Sequence, residues 1–502
     1  MVTMEKTGTA NLTSRGIKGF PLGGVRILGQ NGKTPKQYLD YARGLEGVMV
    51  INGPKGTTSG GIIQRLLSPE IRGMIAGKLD VVLVVRDSGK DKKGKAEGGL
   101  GQAWMRSFIP TEAFPRLSTG DITMVGIEEG NLIFKIGGTP DETKPGEPEK
   151  PIDGVIVRVV EESTFKADKS INDKKRPSVL IDYPDDNMEQ LTPYLPYVNY
   201  ILKAQVIKGK NETVEDVKYD VKDGPVMQAR LKEDKISETK QRIFTSLSCT
   251  TTFTSGFFGA ADSILGIERI KKNSRMAGFH TFTSEKTLPF DGRFKEEETG
   301  ATKATGRVFP KIKDWGNFTG SVKRINMDEP SVASLFLELE VRNPMTPEGF
   351  KLAMLNAALT TPWLVGIIDY SVFPTKEQGL SLALREAPNR AVIDINKVRW
   401  DDRTGRLDLI DGEYSNVQSF NNVMLEGALK LLAQQGVKIE TDVFERSAPS
   451  LAVMGPDALA IAIEKQMEVV AAETAARAEE AAKTKAADGG VGNNYWGHWN
   501  TD

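Results

Sequence analysis

The first candidate for phosphate chemistry is the run Gly32-Lys33-Thr34. It resembles the end of a P-loop, in which a glycine turn, a lysine and a hydroxyl hold a nucleoside triphosphate. That motif needs an earlier glycine, and this sequence has Ile27 at the required place. Pro35 follows directly, where it removes a backbone donor and disfavours helical backbone at Thr34. The same residues predict a simpler feature, a helix capped by Thr34 with proline at its first position.

A second candidate is the glycine-rich run NGPKGTTSGG at 52–61, between a predicted strand and a predicted helix. Folds of the α/β class bind anions at such loops, because glycine lets the backbone approach a ligand. Lys55, Thr57 and Ser59 supply one cation and two hydroxyls, and together with Lys33 they form the phosphate-binding set of this interpretation. The spacing matches neither the P-loop nor the dinucleotide fingerprint. The alternative is a flexible connection in which Ser59 caps the next helix.

Aspartates cluster twice along the chain, and oxygen ligands of this kind suit Mg²⁺ or Ca²⁺. The two groups are Asp182, Asp185 and Asp186, and Asp401, Asp402, Asp408 and Asp411. Neither group has the residue order of a calcium-binding loop, and turns favour aspartate for its local hydrogen bonds. We therefore predict no metal and no cofactor.

Nucleophilic chemistry has little material in this chain. Cys249 is the only cysteine, which excludes an internal disulfide and a cysteine-based zinc site. His280 and His498 are the only histidines, so few groups can exchange protons near neutral pH. Cys249 lies in an apolar stretch typical of a buried structural cysteine, and the sequence near His280 offers no obvious carboxylate partner. We predict no catalytic set and no enzyme.

The bulk composition is that of an ordinary globular protein of several domains. The chain has 502 residues, with 66 Lys and Arg against 67 Asp and Glu. Such a balance gives no global field for polyanions, and the short basic runs at 90–95, 173–176 and 269–272 fit solvated loops. No specific nucleic-acid binding is expected. The N-terminus has no apolar segment typical of a signal peptide, and no apolar run is long enough for a bilayer, so we expect a soluble chain with no membrane partner.

The predicted fold class is α/β, mixed α+β overall. Residues 21–92 alternate strand, helix, strand, helix and strand, which predicts an N-terminal βαβαβ core with a parallel sheet. Further along, short alternating segments separated by proline and glycine predict β-rich structure. The predicted organisation is an extended N-terminal arm (1–20), the first α/β core (21–92), an inserted β-rich region of one or two subdomains (93–325), a second α/β region (326–452), a long C-terminal helix (453–486) and an aromatic docking tail (487–502).

The tail holds Tyr495, Trp496 and Trp499 within five residues, after a stretch of glycine and asparagine. Large aromatic side chains anchor interfaces, so we predict that the tail docks on a neighbouring subunit. The alternative is a tail folded back on its own domain. Phe257 and Phe258 lie in an apolar run that predicts either a core strand with a helix or a second interface segment.

A large, charge-balanced chain with an α/β core and terminal arms is typical of subunits that build shells or tubes. We therefore predict a self-assembling structural protein, most simply a virion component of a tailed phage, of capsid or tail sheath type. It would be made in the host cytoplasm, reside in the virion and contact copies of itself and other virion proteins. The alternative is an α/β nucleotide- or phosphate-binding enzyme using the loops at 29–34 or 52–61. A third possibility is a monomeric binding module.

Overall fold

The computed structural model describes most of two α/β units. The described residues are 26–27, 33–53, 57–85, 122–138, 151–183 without 172 and 174, 188–204, 212–214, 217–219, 226–227, 242–281 without 247, 295–325, 331–371 without 362, 363, 365 and 366, 391–441 without 416 and 417, and the single positions 471, 475, 479 and 483.

The first unit is built on a ten-stranded sheet. Its strands, together with the separate antiparallel pair β9–β10, are β1 (Arg26–Ile27), β2 (Gly47–Asn52), β3 (Leu79–Val85), β4 (Ile122–Glu128), β5 (Asn131–Ile136), β6 (Val155–Glu161), β7 (Ser178–Asp182), β8 (Tyr200–Lys203), β9 (Glu212–Val214), β10 (Val217–Tyr219), β11 (Val226–Met227) and β12 (Ile243–Ser246). The sheet order is β1-β4-β5-β6-β3-β2-β7-β8-β12-β11, and every neighbouring pair from β6 to β11 is parallel. All residues of β2 and β3 are buried, as expected for parallel strands between two layers.

The second unit has a nine-stranded sheet. Its strands are β13 (Ile267–Ile270), β14 (Arg275–Thr281), β15 (Lys295–Glu298), β16 (Thr319–Ile325), β17 (Ser331–Val341), β18 (Ile368–Ser371), β19 (Ala391–Asp394), β20 (Val398–Asp401) and β21 (Arg406–Tyr414). The main order is β15-β16-β14-β17-β21-β19-β18, while β13 pairs with β17 and β20 pairs with β21. Parallel and antiparallel pairs are mixed, so the fold is of the mixed α/β class that the sequence predicts.

Helices cover both sheets. In chain order they are α1 (Pro35–Arg43), α2 (Thr57–Leu66), α3 (Pro69–Ile75), α4 (Glu162–Ala167), α5 (Met188–Leu191), α6 (Cys249–Leu265), α7 (Ala301–Val308), α8 (Pro347–Thr360) and α9 (Gln418–Gln434), with short 3-10 helices at Thr192–Tyr194, Trp315–Asn317 and Ile395–Lys397. Helices α1 to α5 and α9 belong to the first unit, while α6 to α8 belong to the second.

Helix α6 is the centre of the second unit. Its residues from 250 to 261 are all buried, as expected for a helix surrounded by other elements. The rings of Phe257 and Phe258 are 0% exposed. Phe258 lies 5.1 Å from Trp315 and 5.4 Å from Phe318, measured between ring centroids. This segment is therefore a core helix after a strand, which was one of the two predicted alternatives.

Two predicted boundaries differ in the structure. Strands β4 to β8 and β12 belong to the same sheet as β2 and β3, so the predicted inserted region 93–325 does not form one separate body. The chain instead leaves the first sheet after β12, builds the second unit, and returns with α9, whose Met424, Leu425 and Leu429 pack into the first core. The second unit is thus the insertion. Strand β1 also differs from the predicted βαβαβ order, because it pairs with β4 at the far edge.

A buried ion network ties the first unit together. Arg158 on β6 is 0% exposed and donates through Nε to Asp80 of β3 at 2.8 Å, through Nη1 to Asp168 at 3.0 Å and through Nη1 to Asn131 of β5 at 2.9 Å. Burial disfavours the charged guanidinium, but Asp80 and Asp168 outweigh it and raise the pKa of Arg158. Burial alone would raise the pKa of Asp168, but the hydrogen bonds from Ser170 and the charge of Arg158 hold it below its ordinary value.

Replacing Arg158 with methionine should destabilise the first unit by about 3–5 kcal/mol, since two buried carboxylates lose their shared partner. The measurement is the free energy of unfolding from a denaturant titration. Arg406→Met is the matched control: the side chain of Arg406, which is 54% exposed, pairs with Asp408 at 2.9 Å, and its loss should destabilise the chain far less because solvent screens the pair. Equal effects of the two substitutions would contradict a structural role for the buried network.

Candidate functional site

The run Gly32-Lys33-Thr34 has the simpler of its two predicted structures. The Thr34 hydroxyl accepts from the Gln37 backbone at 3.3 Å, the Gln37 side chain accepts from the Thr34 backbone at 2.8 Å, and Pro35 opens α1. This reciprocal capping box confirms the predicted capped helix.

Lys33 lies at the opposite edge of the first sheet from the glycine-rich run 52–61. Lys33 is near enough to Lys135 for its charge to affect that residue. Burial is the main cause that lowers the pKa of Lys135, Asp153 opposes it, and the charge of Lys33 lowers the pKa further. Lys135 pairs with Ile156 near the start of β6, so Lys33 is at the amino edge of the parallel strands. Asn52, the first residue of that run, is at the carboxyl end of β2, about 13 Å further along the strand direction at the rise of an extended strand. The described residues of the two predicted phosphate-binding loops therefore lie toward opposite ends of the parallel strands.

Of the three residues predicted to bind phosphate from the second loop, Lys55 lies outside the described residues. Helix α2 already begins at Thr57, so Ser59 falls in its first turn. The prediction that Ser59 caps this helix is wrong, because the helix begins three positions earlier than a cap at Ser59 requires. The reason is that the run of Thr, Ser and Gly offers several equivalent starting points for a helix.

The carboxyl edge of the first sheet contains a topological switch point. Strand β2 leads through α2 and α3 to β3 on one side, whereas β7 leads through α5 to β8 on the other. Open α/β sheets bind ligands in the crevice that such a reversal creates. Asn52 and Asp182 are the last residues of β2 and β7 and are direct partners in the sheet register.

A chain of polar side chains occupies this switch point. The Asn52 amide donates to Asp182 Oδ1 at 2.8 Å, and Lys203 Nζ donates to Asp182 Oδ2 at 3.2 Å and to the Tyr183 carbonyl at 2.9 Å. Asp182 and Lys203 are both 0% exposed. Asn52 also donates to the Tyr194 hydroxyl at 3.4 Å. Because the carboxylate of Asp182 is paired with the buried ammonium of Lys203, we interpret the cluster as a structural link between the ends of β2, β7 and β8.

The two aspartate clusters show no metal-binding geometry among their described members. Asp182 is committed to Lys203, as above. In the turn between β20 and β21, Asp401 accepts from the backbones of Arg403 at 3.0 Å and Thr404 at 3.4 Å, and these local hydrogen bonds lower the pKa of Asp401. Within the described residues, no group of three or more His, Cys, Asp or Glu side chains is arranged to hold a metal. Asp185 and Asp186 lie outside them.

The structure brings the only cysteine to one of the two histidines. Cys249 is the first residue of α6, His280 lies on β14, and Cys249 Sγ is 3.4 Å from His280 Nε2. Both side chains are partly exposed. Ser248 caps α6, with its hydroxyl accepting from the Thr251 backbone at 3.3 Å. The sequence prediction of a buried structural cysteine missed this pair because the two residues are brought together only by the tertiary fold.

A buried tyrosine lies beside this pair. The Thr250 hydroxyl is 2.9 Å from the hydroxyl of Tyr414 on β21, which is 1% exposed. Burial raises the pKa of Tyr414, and negative charge at Cys249 raises it further. The neighbourhood of Cys249 is therefore polar on the side of the second sheet.

The second sheet has an outer face, opposite α6. Its members are Arg275, Ala277 and Phe279 on β14, Val332, Ser334 and Phe336 on β17, and Glu413 on β21, as the register places them. Residues of β17 that point inward, such as Leu335 and Leu337, are buried in the core, whereas Val332 and Phe336 stay partly exposed. Phe279 is 48% exposed, and no other large hydrophobic side chain among the described residues is exposed to this degree.

The residues predicted for assembly contacts fall into two groups. Phe257 and Phe258 are enclosed by the core of the second unit, so packing within this chain accounts for both rings without an interface. Tyr495, Trp496 and Trp499 lie outside the described residues. The predicted helix 453–486 is described at four positions, all helical and exposed, two of which are Glu479 and Lys483, joined by an ion pair of 2.6 Å.

No family model matches the chain, and no curated protein matches it either. Among the described helices, none is both long and apolar enough to cross a membrane.

A pH effect is expected from Glu413 on the outer face. Burial raises its pKa to about 7, Lys397 opposes the shift, and Asp411 adds to it. A carboxyl with a raised pKa stabilises the folded chain fully below about pH 4.5, and this contribution is lost as the pH rises through about 7. Glu413→Gln should therefore stabilise the second unit at pH 8 by about 1–2 kcal/mol after allowance for solvent screening.

The same substitution should leave stability at pH 4 nearly unchanged. Thermal unfolding of both proteins across this pH range measures the difference. Asp408→Asn, at the exposed pair with Arg406, is the control and should give no gain at pH 8. A constant difference between Glu413→Gln and the native chain from pH 4 to pH 8 would contradict the raised pKa.

Proposed function

We propose that this chain is a self-assembling structural protein whose function lies in contacts between its copies. The observation that carries the proposal is the outer face of the second sheet, which the core helices do not cover: Phe279 is exposed there beside the partly exposed Val332, and Phe336 further along the same face is partly exposed under Arg275. Exposed apolar patches on soluble proteins mark interaction sites. A second copy is the occupant that fits best, because this chain also carries its own aromatic anchors.

The tail supplies the second contact of this proposal. Tyr495, Trp496 and Trp499 follow a stretch of glycine and asparagine, so they can reach beyond their own domain. Two weak contacts per subunit are enough to hold an array together. Once one contact has formed, it raises the effective concentration of the partner at the other contact. The composition fits as well, because a nearly neutral chain can approach identical copies without strong repulsion.

The narrower form of the proposal is a subunit of a virion shell or tube of a tailed phage, made in the host cytoplasm. Its support is architectural: an α/β body with an inserted second unit and long terminal segments suits a repeated, closed assembly. Fold does not fix function, so this form rests on the assembly itself being found. The alternative, a phosphate-binding enzyme, would use either the loop at 29–34 or the loop at 52–61, since Lys33 and the described residues of the second run lie toward opposite ends of the parallel strands.

Replacing all three tail aromatics with alanine should abolish ordered particles while the body stays folded. Negative-stain microscopy of the purified chain measures the particles, and circular dichroism measures the fold. The matched control replaces Asn493, Asn494 and Asn500 with alanine in the same tail and should assemble normally. Particles that persist unchanged without the aromatics would refute the docking role.

Substituting Phe279 with serine should weaken assembly at the second contact. Burying a phenylalanine stabilises an interface by about 1.5–3 kcal/mol, so the concentration needed for assembly should rise at least about tenfold. Ala277→Ser, on the same strand and face, is the control and should leave this concentration within about twofold. Light scattering against concentration gives both values, and an unchanged threshold for Phe279→Ser would show that the outer face is not an interface.

A further inference from the structure

The contact between Cys249 and His280 has the geometry of an activated thiol. The sulfur lies 3.4 Å from Nε2, within hydrogen-bond reach for a thiol. Free cysteine titrates near pH 8.5, and an adjacent imidazole lowers the pKa of a thiol because the imidazolium stabilises the thiolate. Partial exposure of both side chains leaves the sulfur within reach of a small molecule.

The position of Cys249 on its helix also favours the thiolate. It is the first residue of α6, a helix of 17 residues, where backbone N–H groups and the helix dipole favour negative charge. Ser248 fixes this end of the helix by accepting from the Thr251 backbone. The thiol thus has two independent reasons to ionise, one from its neighbour and one from its place in the fold.

We propose that Cys249 is a modification site, a thiol that transfers its proton to His280 and reacts with small soft electrophiles. With an alkyl iodide such as iodoacetamide, the proton moves from Sγ to Nε2 and the thiolate sulfur attacks the methylene carbon. The S–C bond forms as the C–I bond breaks, iodide leaves, and the imidazolium then releases its proton to solvent. No oxidant, metal or cofactor takes part in this step.

Other titratable groups lie on the elements packed around this pair. On the sheet side they are Arg324 on β16, which is the register partner of His280, and Tyr414 on β21. On the side of the first unit they are Glu426 and Lys430 of α9, which pair with each other at 3.2 Å. The charge of Arg324 favours the thiolate and disfavours the imidazolium, so His280 must be removed to measure its own share.

The experiment measures the alkylation rate of the intact chain by iodoacetamide from pH 5 to pH 10, read by whole-protein mass. Because the chain has one cysteine, a single adduct reports one site, and Cys249→Ser should give none. For the folded chain the midpoint of the pH profile should fall below about 7, against about 8.5 for the same chain unfolded in urea. Coincident midpoints would overturn the proposal without any variant.

His280→Gln tests the proton acceptor directly. Its midpoint should move toward about 8.5, and its rate at pH 6 should fall about tenfold, once the greater nucleophilicity of a more basic thiolate is included. His498→Gln removes the other histidine and should behave like the native chain. A folded His280→Gln protein with the native midpoint would overturn the role of His280. Circular dichroism establishes whether the variant is folded, and the comparison of folded and unfolded native chain decides the proposal if it is not.

Discussion

The packing of α9 on the first sheet is the constraint on which the rest of the structure depends. Parallel strands buried on both faces need cover on both, and α9 provides part of it from beyond the whole second unit. Gln435, just after α9, accepts from the Ser178 backbone at 3.0 Å, and the side chain of Asn422 accepts from Arg65 at 3.0 Å. The second unit therefore has both of its ends anchored in the first. Cys249 lies at this junction and packs against both cores.

Charges inside the first unit serve mainly to hold strands together. Arg158 joins two carboxylates from different elements, and Lys203 holds Asp182 at the switch point of the sheet. Buried pairs of this kind cost desolvation energy and stabilise little on balance, but breaking one leaves a charge without compensation. At the switch point, where open α/β sheets bind ligands, the described side chains of Asn52, Asp182 and Lys203 instead pair with one another.

Local features of the fold could be predicted from the sequence, because they depend on neighbouring residues. The cap at Thr34, with Pro35 at the first position of the helix, is confirmed. Strand partners could not be predicted in the same way. Short alternating segments look alike whether they extend a mixed sheet or form a separate domain. The sequence therefore predicts an insertion at 93–325, whereas strands β4 to β8 and β12 from this region belong to the first sheet.

For the candidate sites too, local motifs could be predicted from the sequence, whereas contacts between distant residues could not. Two glycine-rich runs were visible in the sequence, but only the sheet topology separates them to opposite edges. The contact of Cys249 with His280 had no local signal, since a helix start and a strand must meet in space to form it. The exposure of Phe279 was equally hidden, because alternation along β14 does not say which face a helix covers.

Assembly is the central claim, and sedimentation velocity of the full chain over a wide concentration range tests it most directly. A self-assembling subunit should give discrete species many times heavier than the 54.9 kDa chain, in equilibrium with a small pool of free subunits. A single species at 54.9 kDa across the whole range would contradict self-assembly.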